Sequence, residues 1–312
     1  MTVGILRTGA YVPPRAVDNT TIAEWAGTTP EWIRDRTGID TRRYADDREA
    51  TSDLAFQAAV DLLGPREGWP RINSVIVATS TGDQAQPATA AALQDKLGLT
   101  GIPAFDLNSV CVGYLFAFEV AAGLIARGRD DGVALVVGAD IYSRIMNRAD
   151  RKTVSLFGDG AGATLVGQVP TGYGLLASRL VTDGELRSLV EVPGDTGLFR
   201  MDGRAVRDYV RTTLPKLVFE VLDESGFTLA DMDRIILHQA NTRLLETLIR
   251  ELGMDPDRVP LTAPRYGNTG AASIPITLHS AHRERPLRRG ERILLAGVGG
   301  GMSAGAAVLT WY

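Results

Sequence analysis

The chain has a single cysteine, Cys111, and only three histidines, His238, His279 and His282, among its 312 residues. One cysteine excludes an intramolecular disulfide, and these few residues form no Cys/His cluster at zinc spacing, so no metal is expected. Excess charge is also missing: the formal net charge is −4 and the isoelectric point about 5.5. With no global basic field, neither nucleic acid nor an anionic membrane surface is an expected partner, and an acidic partner has to be met by a local patch. The N-terminus, MTVGILRTGAYVPP, lacks the basic and apolar stretches of a secretion signal, and no apolar run is expected to reach the ~18 residues of a membrane span. The cytoplasm is the expected location. No Pro/Ser-rich linker divides the chain, which predicts one packed body.

What is present is an alternation. Short β-branched and aliphatic runs at 74–80, 133–138, 234–238 and 292–297 are separated by longer stretches of helical apolar spacing, which predicts α/β architecture with buried strands. Helices are predicted over 50–63, 88–97 and 111–127, each ending on a glycine or proline signal. The third, CVGYLFAFEVAAGLIARG, is apolar almost all round and reads as a helix at the centre of the protein. Beyond it, Asn241 and Gly253 are the expected start and stop of an amphipathic helix, NTRLLETLIRELG. Similar features recur at a near-constant offset: the runs at 74 and 234, those at 133 and 292, and helix openings at Cys111 and Gly270. This predicts two similar halves, 1–168 and 169–312, with equivalent loops meeting around a pseudo-dyad.

A lone cysteine is usually a small buried hydrophobe. Cys111, however, follows a strand-like segment and opens a helix, where the macrodipole and free N–H groups favour a thiolate; a nucleophile near neutral pH is expected. His238 ends the run RIIL, a place where a histidine is more often a hydrogen-bonded core residue. Asn268, in YGNTGAASIP, could be an ordinary turn residue between glycines. Taken together they fit one chemistry: a thiolate attacking a thioester, and a carbanion formed afterwards, both need neutral N–H donors that do not compete as nucleophiles. The glycine runs GDGAGA (158–163) and GVGGG (297–301) lack the acidic residue and strand–turn–helix context of a dinucleotide site. Tight turns that bring backbone amides to the pocket are the expected role.

The motifs PEWIRDRTGI (30–39), PAFDLNSVCVGY (103–114), LFGDGAGA (156–163), HQANTR (238–243), GNTGAASIP (267–275) and GVGGGMSAGAAVL (297–309) cover nearly the whole chain. In order and spacing they resemble the β-ketoacyl-acyl-carrier-protein synthase III family of the thiolase superfamily. The resemblance implies a duplicated αβαβα fold, a homodimer and a ping-pong reaction without a separate cofactor. An acyl-CoA loads Cys111; malonyl-acyl carrier protein then loses CO2, and its enolate attacks the acyl thioester. His238 and Asn268 are implied to hold the enolate, and the Cys111 N–H with the Gly299, Gly300 and Gly301 loop to hold the thioester oxygen. Trp32, Arg36 and Arg151 match contacts to CoA, for which a stacking indole and two guanidiniums are also chemically apt. Arg207, Arg243 and Arg250 fall where the family meets its acidic carrier protein.

Gln86, Tyr114, Phe157 and Val298 are the implied acyl-pocket residues. Gln86 stands where the family often has a Phe contributed across the dimer, and Val298 where a Phe usually opens the glycine loop. Both changes imply a larger or more polar starter group than acetyl. The Val298 change also bears on decarboxylation, which an aromatic ring there is thought to promote. Tyr114 replaces another common Phe and is expected to bring a hydroxyl near the nucleophile. The competing readings are a relative that passes the acyl group from Cys111 to a carrier protein, hydroxyl or amine without decarboxylation, and a silent partner in a heterodimer. The complete Cys–His–Asn set speaks against silence.

Overall fold

A computed structural model describes residues 2–128 and 132–312. Near-continuous aliphatic runs without polar alternation, such as VALVVGAD in the strand Val133–Asp140, require cover on both faces, and every residue of that strand is buried. Two sheets are built from such strands. The first has the order Thr2–Tyr11, Gly160–Val169, Val133–Asp140, Ile72–Ala78, Ala104–Leu107, with two antiparallel pairings followed by two parallel ones. The second has the order Gly174–Thr182, Ser303–Thr310, Arg292–Gly299, Arg234–Leu237, and repeats the sequence antiparallel, antiparallel, parallel.

Five layers follow from which side each strand residue faces. Ile76, Val136, Ile236 and Leu295 point between the sheets, where they meet Leu115, Phe118, Ile274 and Leu278 of the helices Gly113–Arg127 and Ser273–Glu284. Alternate residues of the same strands point outwards. Val75, Val77 and Leu135 pack on the helices Thr51–Leu63 and Thr89–Lys96, while Ile235, Leu237 and Leu294 pack on Gly203–Ser225 and Thr242–Leu252. Each fully buried aliphatic side chain contributes roughly 1.5–3 kcal/mol. The arrangement is an αβαβα sandwich of the thiolase type.

Several expectations need amending. The segment Val110–Arg127 does have the length and apolar composition of a membrane-crossing helix, contrary to the sequence reading; more than half of it is buried between the sheets. The helix itself begins at Gly113, two residues later than expected. Cys111 lies in a preceding 3-10 turn, Val110–Val112, because Val110 adopts a left-handed backbone, φ 48°. A β-branched residue in that region costs roughly 1–3 kcal/mol, so the turn at the nucleophile is strained. The equivalent turn in the second half, Gly270–Ala272, precedes the helix Ser273–Glu284. The glycines of GDGAGA are not tight turns into the pocket. They allow close packing: a Cβ on Gly158 would lie 2.2 Å from the Tyr266 carbonyl oxygen, and one on Gly162 2.6 Å from the Ile276 nitrogen.

Candidate active site

Three turns from three parts of the chain converge at the end of the inner layer. Cys111 comes from the 3-10 turn above. His238 follows the strand Arg234–Leu237 and keeps its register, its N–H donating to the Ala296 carbonyl at 2.8 Å. Asn268 is tied to the segment at Phe157 by two backbone bonds: its N–H donates to Leu156 O at 2.8 Å, and its carbonyl accepts from Gly158 N at 2.9 Å. All three side chains line one narrow cavity of about 70 Å³, and each residue is at most 7 % exposed. The rest of the lining is mainly apolar and includes Phe157, Phe199, Met201, Leu244 and Val298.

Each polar group is aimed by a partner outside the cavity. The Asn268 Oδ1 accepts from Gly270 N at 2.9 Å, which leaves the carboxamide N–H groups for the cavity. His238 Nδ1 lies 2.5 Å from Ser273 Oγ. That oxygen also accepts from Gln239 N at 3.3 Å, and in the tautomer in which the Ser273 hydroxyl donates to Nδ1 the imidazole carries its own proton on Nε2. Burial pushes His238 down to about 4, so it is a neutral donor at physiological pH. Gly299 closes the site from the second sheet: a Cβ there would lie 2.9 Å from the Cys111 nitrogen and 2.8 Å from the Ser109 oxygen.

The thiolate expected from the helix terminus is not the resting state. Burial pushes the Cys111 thiol up to about 12, and the Asp140 carboxylate adds to this, while Tyr142 and Asn268 offset part of it. A dry cavity opposes an anion more strongly than the short turn favours one.

A wider funnel of about 550 Å³ leads to this cavity, and Asn268 lines both. Trp32, Arg36, Arg207 and Arg243 line the funnel wall. Arg151 lies over the Trp32 ring, 4.9 Å from its centroid. Arg243 is already engaged, donating to Glu246 at 3.0 Å and to the Asp35 carbonyl at 3.4 Å. Arg250 is not gathered with the others; it lines a separate groove with Pro256 and Leu261. Tyr114 also departs from expectation: it is wholly buried in the inner layer, with its hydroxyl 3.1 Å from Thr164 Oγ1, and it does not line the cavity. Its place on the core-facing side of the helix, three residues after Cys111, explains this. Gln86 is exposed, away from its own chain's cavity, and Gly301 faces a separate opening beside Tyr142 and Ser303.

Sequence reasoning missed Ser273, although it had a signal, lying inside the GNTGAASIP motif five residues after Asn268.

The neutral imidazole gives a pH prediction. Between 6.5 and about 4 the unfolded chain binds a proton at His238 that the folded chain refuses. Stability is therefore complete above 6.5 and is lost as the pH falls towards 4, by about 3 kcal/mol from this residue. Asp159, raised by burial to about 6, acts with opposite sign in the same window. Denaturant unfolding of the wild type and His238→Gln from pH 7 to 4.5 isolates the imidazole: the variant should lack this acid-side loss.

A buried thiol beside two neutral donors, set between two sheets of matching topology, defines the class of thiolase-fold acyl-condensing enzymes. The family model for 3-oxoacyl-[acyl-carrier-protein (ACP)] synthase III matches residues 105–184, and the model for its C-terminal part matches 222–311. Among curated relatives, acetoacetyl CoA synthase NphT7 of Streptomyces sp. (strain CL190) is 47 % identical, with 98 % of each chain covered. The β-ketoacyl-[acyl-carrier-protein] synthase III of Neisseria meningitidis serogroup B is 41 % identical over 97 % of this chain and 98 % of that one. Two solved structures are similar: the synthase III of Thermus thermophilus, with TM-score 0.93, 38 % identity and 99 % of both chains covered, and the priming β-ketosynthase of the R1128 polyketide pathway, with TM-score 0.92, 29 % identity and coverage of 99 % and 96 %. The chain belongs to the 3-oxoacyl-[acyl-carrier-protein] synthase III family.

Proposed function

We propose that the protein starts a carbon chain by a two-stage reaction at Cys111. In the first stage an acyl-CoA enters through the funnel, with Trp32, Arg36 and Arg151 receiving the nucleotide end, and transfers its acyl group to the Cys111 sulfur. The amides of Cys111 and of the loop at Gly299 and Gly300 hold the thioester oxygen in this reading. In the second stage a malonyl thioester places its carbonyl between His238 and Asn268. Its carboxylate meets an apolar wall, which favours the neutral product CO2 over the buried anion, and the enolate held by the two N–H donors attacks the acyl thioester. The observation that carries this reading is the presence of Cys111, His238 and Asn268 around one cavity at the base of a funnel lined by Trp32, Arg36 and Arg207. The reaction as written uses no cofactor, since the CoA thioester is a substrate.

The extender is read as malonyl-acyl carrier protein, docked on Arg207 and Arg243, with Arg250 further along the same helix. A second reading has a specific basis. The product named for the 47 % identical relative is carried on CoA, and in such a condensation the product leaves on the extender's carrier. Here Arg243 and Arg211 are each paired with a glutamate, which reduces the positive patch open to an acidic protein. Arg243→Glu decides between them. If a carrier protein docks there, the KM for malonyl-carrier protein should rise about ten-fold, with a weaker salt dependence, while acyl-CoA loading changes less. Equal effects on malonyl-CoA and malonyl-carrier protein would favour the CoA-borne extender.

The protein is further read as a cytoplasmic homodimer of duplicated chains, with halves 1–168 and 169–312. The outer edge of the strand Ala104–Leu107 and the exposed Gln86 support this reading, because a partner copy could bring its own Gln86 to the acyl cavity.

A further inference from the structure

Arg42 is among the largest side chains that the fold buries completely, at 0 % exposed. Among the described residues it forms no ion pair. Burial pushes its guanidinium down only to about 10, so the group is charged at neutral pH. A buried charge without a counter-charge opposes folding, so a gain in stability does not account for this residue. Its bonds point elsewhere. Nη1 donates to Asn19 Oδ1 at 2.7 Å and Nη2 to the Ser155 carbonyl at 2.5 Å, while Nε has no acceptor. Asn19 is fixed in turn, donating from Nδ2 to Ile39 O at 2.8 Å.

The carbonyl held by Arg42 opens the segment to which Asn268 is tied. Leu156 O, one residue on, accepts from Asn268 N, and Gly158 N donates to Asn268 O. The root of Arg42 also touches both sides of that pairing: a Cβ on Gly158 or on Gly267 would lie 3.1 or 3.2 Å from the Arg42 Cβ. These two glycines leave the room in which the segments 155–158 and 266–268 close over the Arg42 stem. The strand that carries Arg42, Thr41–Tyr44, adds a third tie, its Arg43 carbonyl accepting from Asp159 N at 2.7 Å.

We propose that Arg42 is a positioning residue for condensation: its guanidinium clamps the segment 155–158 to Asn19, and through that segment fixes the backbone of Asn268, so that the carboxamide is aimed before the extender arrives. The proposal rests on the reading of Asn268 as a donor to the enolate. A planar fork is suited to the task because it reaches two acceptors at once from a rigid group. An apolar side chain of similar length leaves Asn19 Oδ1 and Ser155 O buried without a donor, and the segment shifts to find one. A displacement of about 1 Å at Asn268 is enough to spoil the donor geometry. The turn that carries Cys111 has its own local tie, Val110 N donating to Asn108 Oδ1 at 3.1 Å, and none of its hydrogen bonds goes to 155–158 among the described residues. The loading stage is therefore largely spared.

A double-mutant cycle tests the clamp. Arg42→Met keeps the stem and removes the fork, and condensation is measured in a single turnover from enzyme acylated beforehand, in the wild type, Arg42→Met, Asn268→Ala and the double variant. Arg42→Met should condense at least about ten-fold more slowly, with acyl loading within about three-fold of wild type. In the Asn268→Ala background the same substitution should cost less than about two-fold, because the donor whose aim it spoils is already gone. Where the methionine variant does not fold, Arg42→Lys, which keeps the charge and serves one acceptor at a time, replaces it in the same cycle, with a loss of about five-fold that again disappears in the Asn268→Ala background. Equal losses in both backgrounds, equal losses in loading and condensation, or condensation at the wild-type rate would overturn the clamp and leave the role of Asn268 standing. Normal condensation by Asn268→Ala alone would overturn both.

Discussion

Alanine in place of His238 or Asn268 is expected to leave an enzyme that still forms the Cys111 thioester but condenses about 10²–10³-fold more slowly, whereas Cys111→Ala should form no acyl-enzyme at all. The split follows from what each group can offer. The sulfur is the nucleophile in the cavity, so its loss removes the first stage and everything after it. The imidazole and the carboxamide are neutral donors aimed before substrate arrives, one by Ser273 and one by Gly270. Their value lies in the enolate, where negative charge collects on one oxygen in a dry site, and each donor removed leaves part of that charge without a partner. The Asn268 variant should also load somewhat more slowly, because the carboxamide offsets part of the rise that burial imposes on the Cys111 thiol. Single-turnover measurements separate the stages, and normal condensation by either donor variant would contradict its assigned role.

Gly299→Ala is expected to be nearly as damaging, for a mechanical reason. An added methyl would sit 2.8 Å from Ser109 O and 2.9 Å from the nitrogens of Cys111 and Val112. All three are backbone atoms of the strained turn that carries the nucleophile, and no flexible side chain is available to yield. The turn must move, and a shift of about 1 Å at a reacting atom can cost on the order of 10²-fold in rate. Loading should therefore fall by at least that factor, together with a lower Tm. Gly123→Ala in the exposed part of the inner helix is the control. Among the described residues nothing lies within 4 Å of its added methyl, and it should stabilise the helix by roughly 0.5–1 kcal/mol while leaving loading unchanged.

How much of this was legible in the sequence depends on how local each feature is. Strands and helices with strong periodicity were readable to within a few residues: the run at 74–80 forms Ile72–Ala78, and the helix expected over 50–63 is Thr51–Leu63. Asn241 caps its helix as expected, accepting from Leu244 N at 3.1 Å. The left-handed Val110 was not readable, since valine's own preference is against it; its N–H is held locally by Asn108 Oδ1 at 3.1 Å. Tyr114 was misplaced because sequence proximity to Cys111 was taken for spatial proximity, although helical geometry turns it into the core. The bond from Arg42 to Ser155 joins positions 113 residues apart, with no motif to link them. The raised thiol pKa was missed for a similar reason: the local helix start was visible, but the burial that outweighs it comes from three distant turns.

Intact-protein mass spectrometry of the enzyme and a carrier protein, after incubation with a panel of acyl-CoAs and malonyl-carrier protein or malonyl-CoA, tests the central claim most directly. The account predicts an acyl adduct on Cys111 and then a β-ketoacyl product two carbons longer than the donor, with CO2 released. Transfer of the unextended acyl group to the acceptor, or a product formed without an adduct on Cys111, would contradict it.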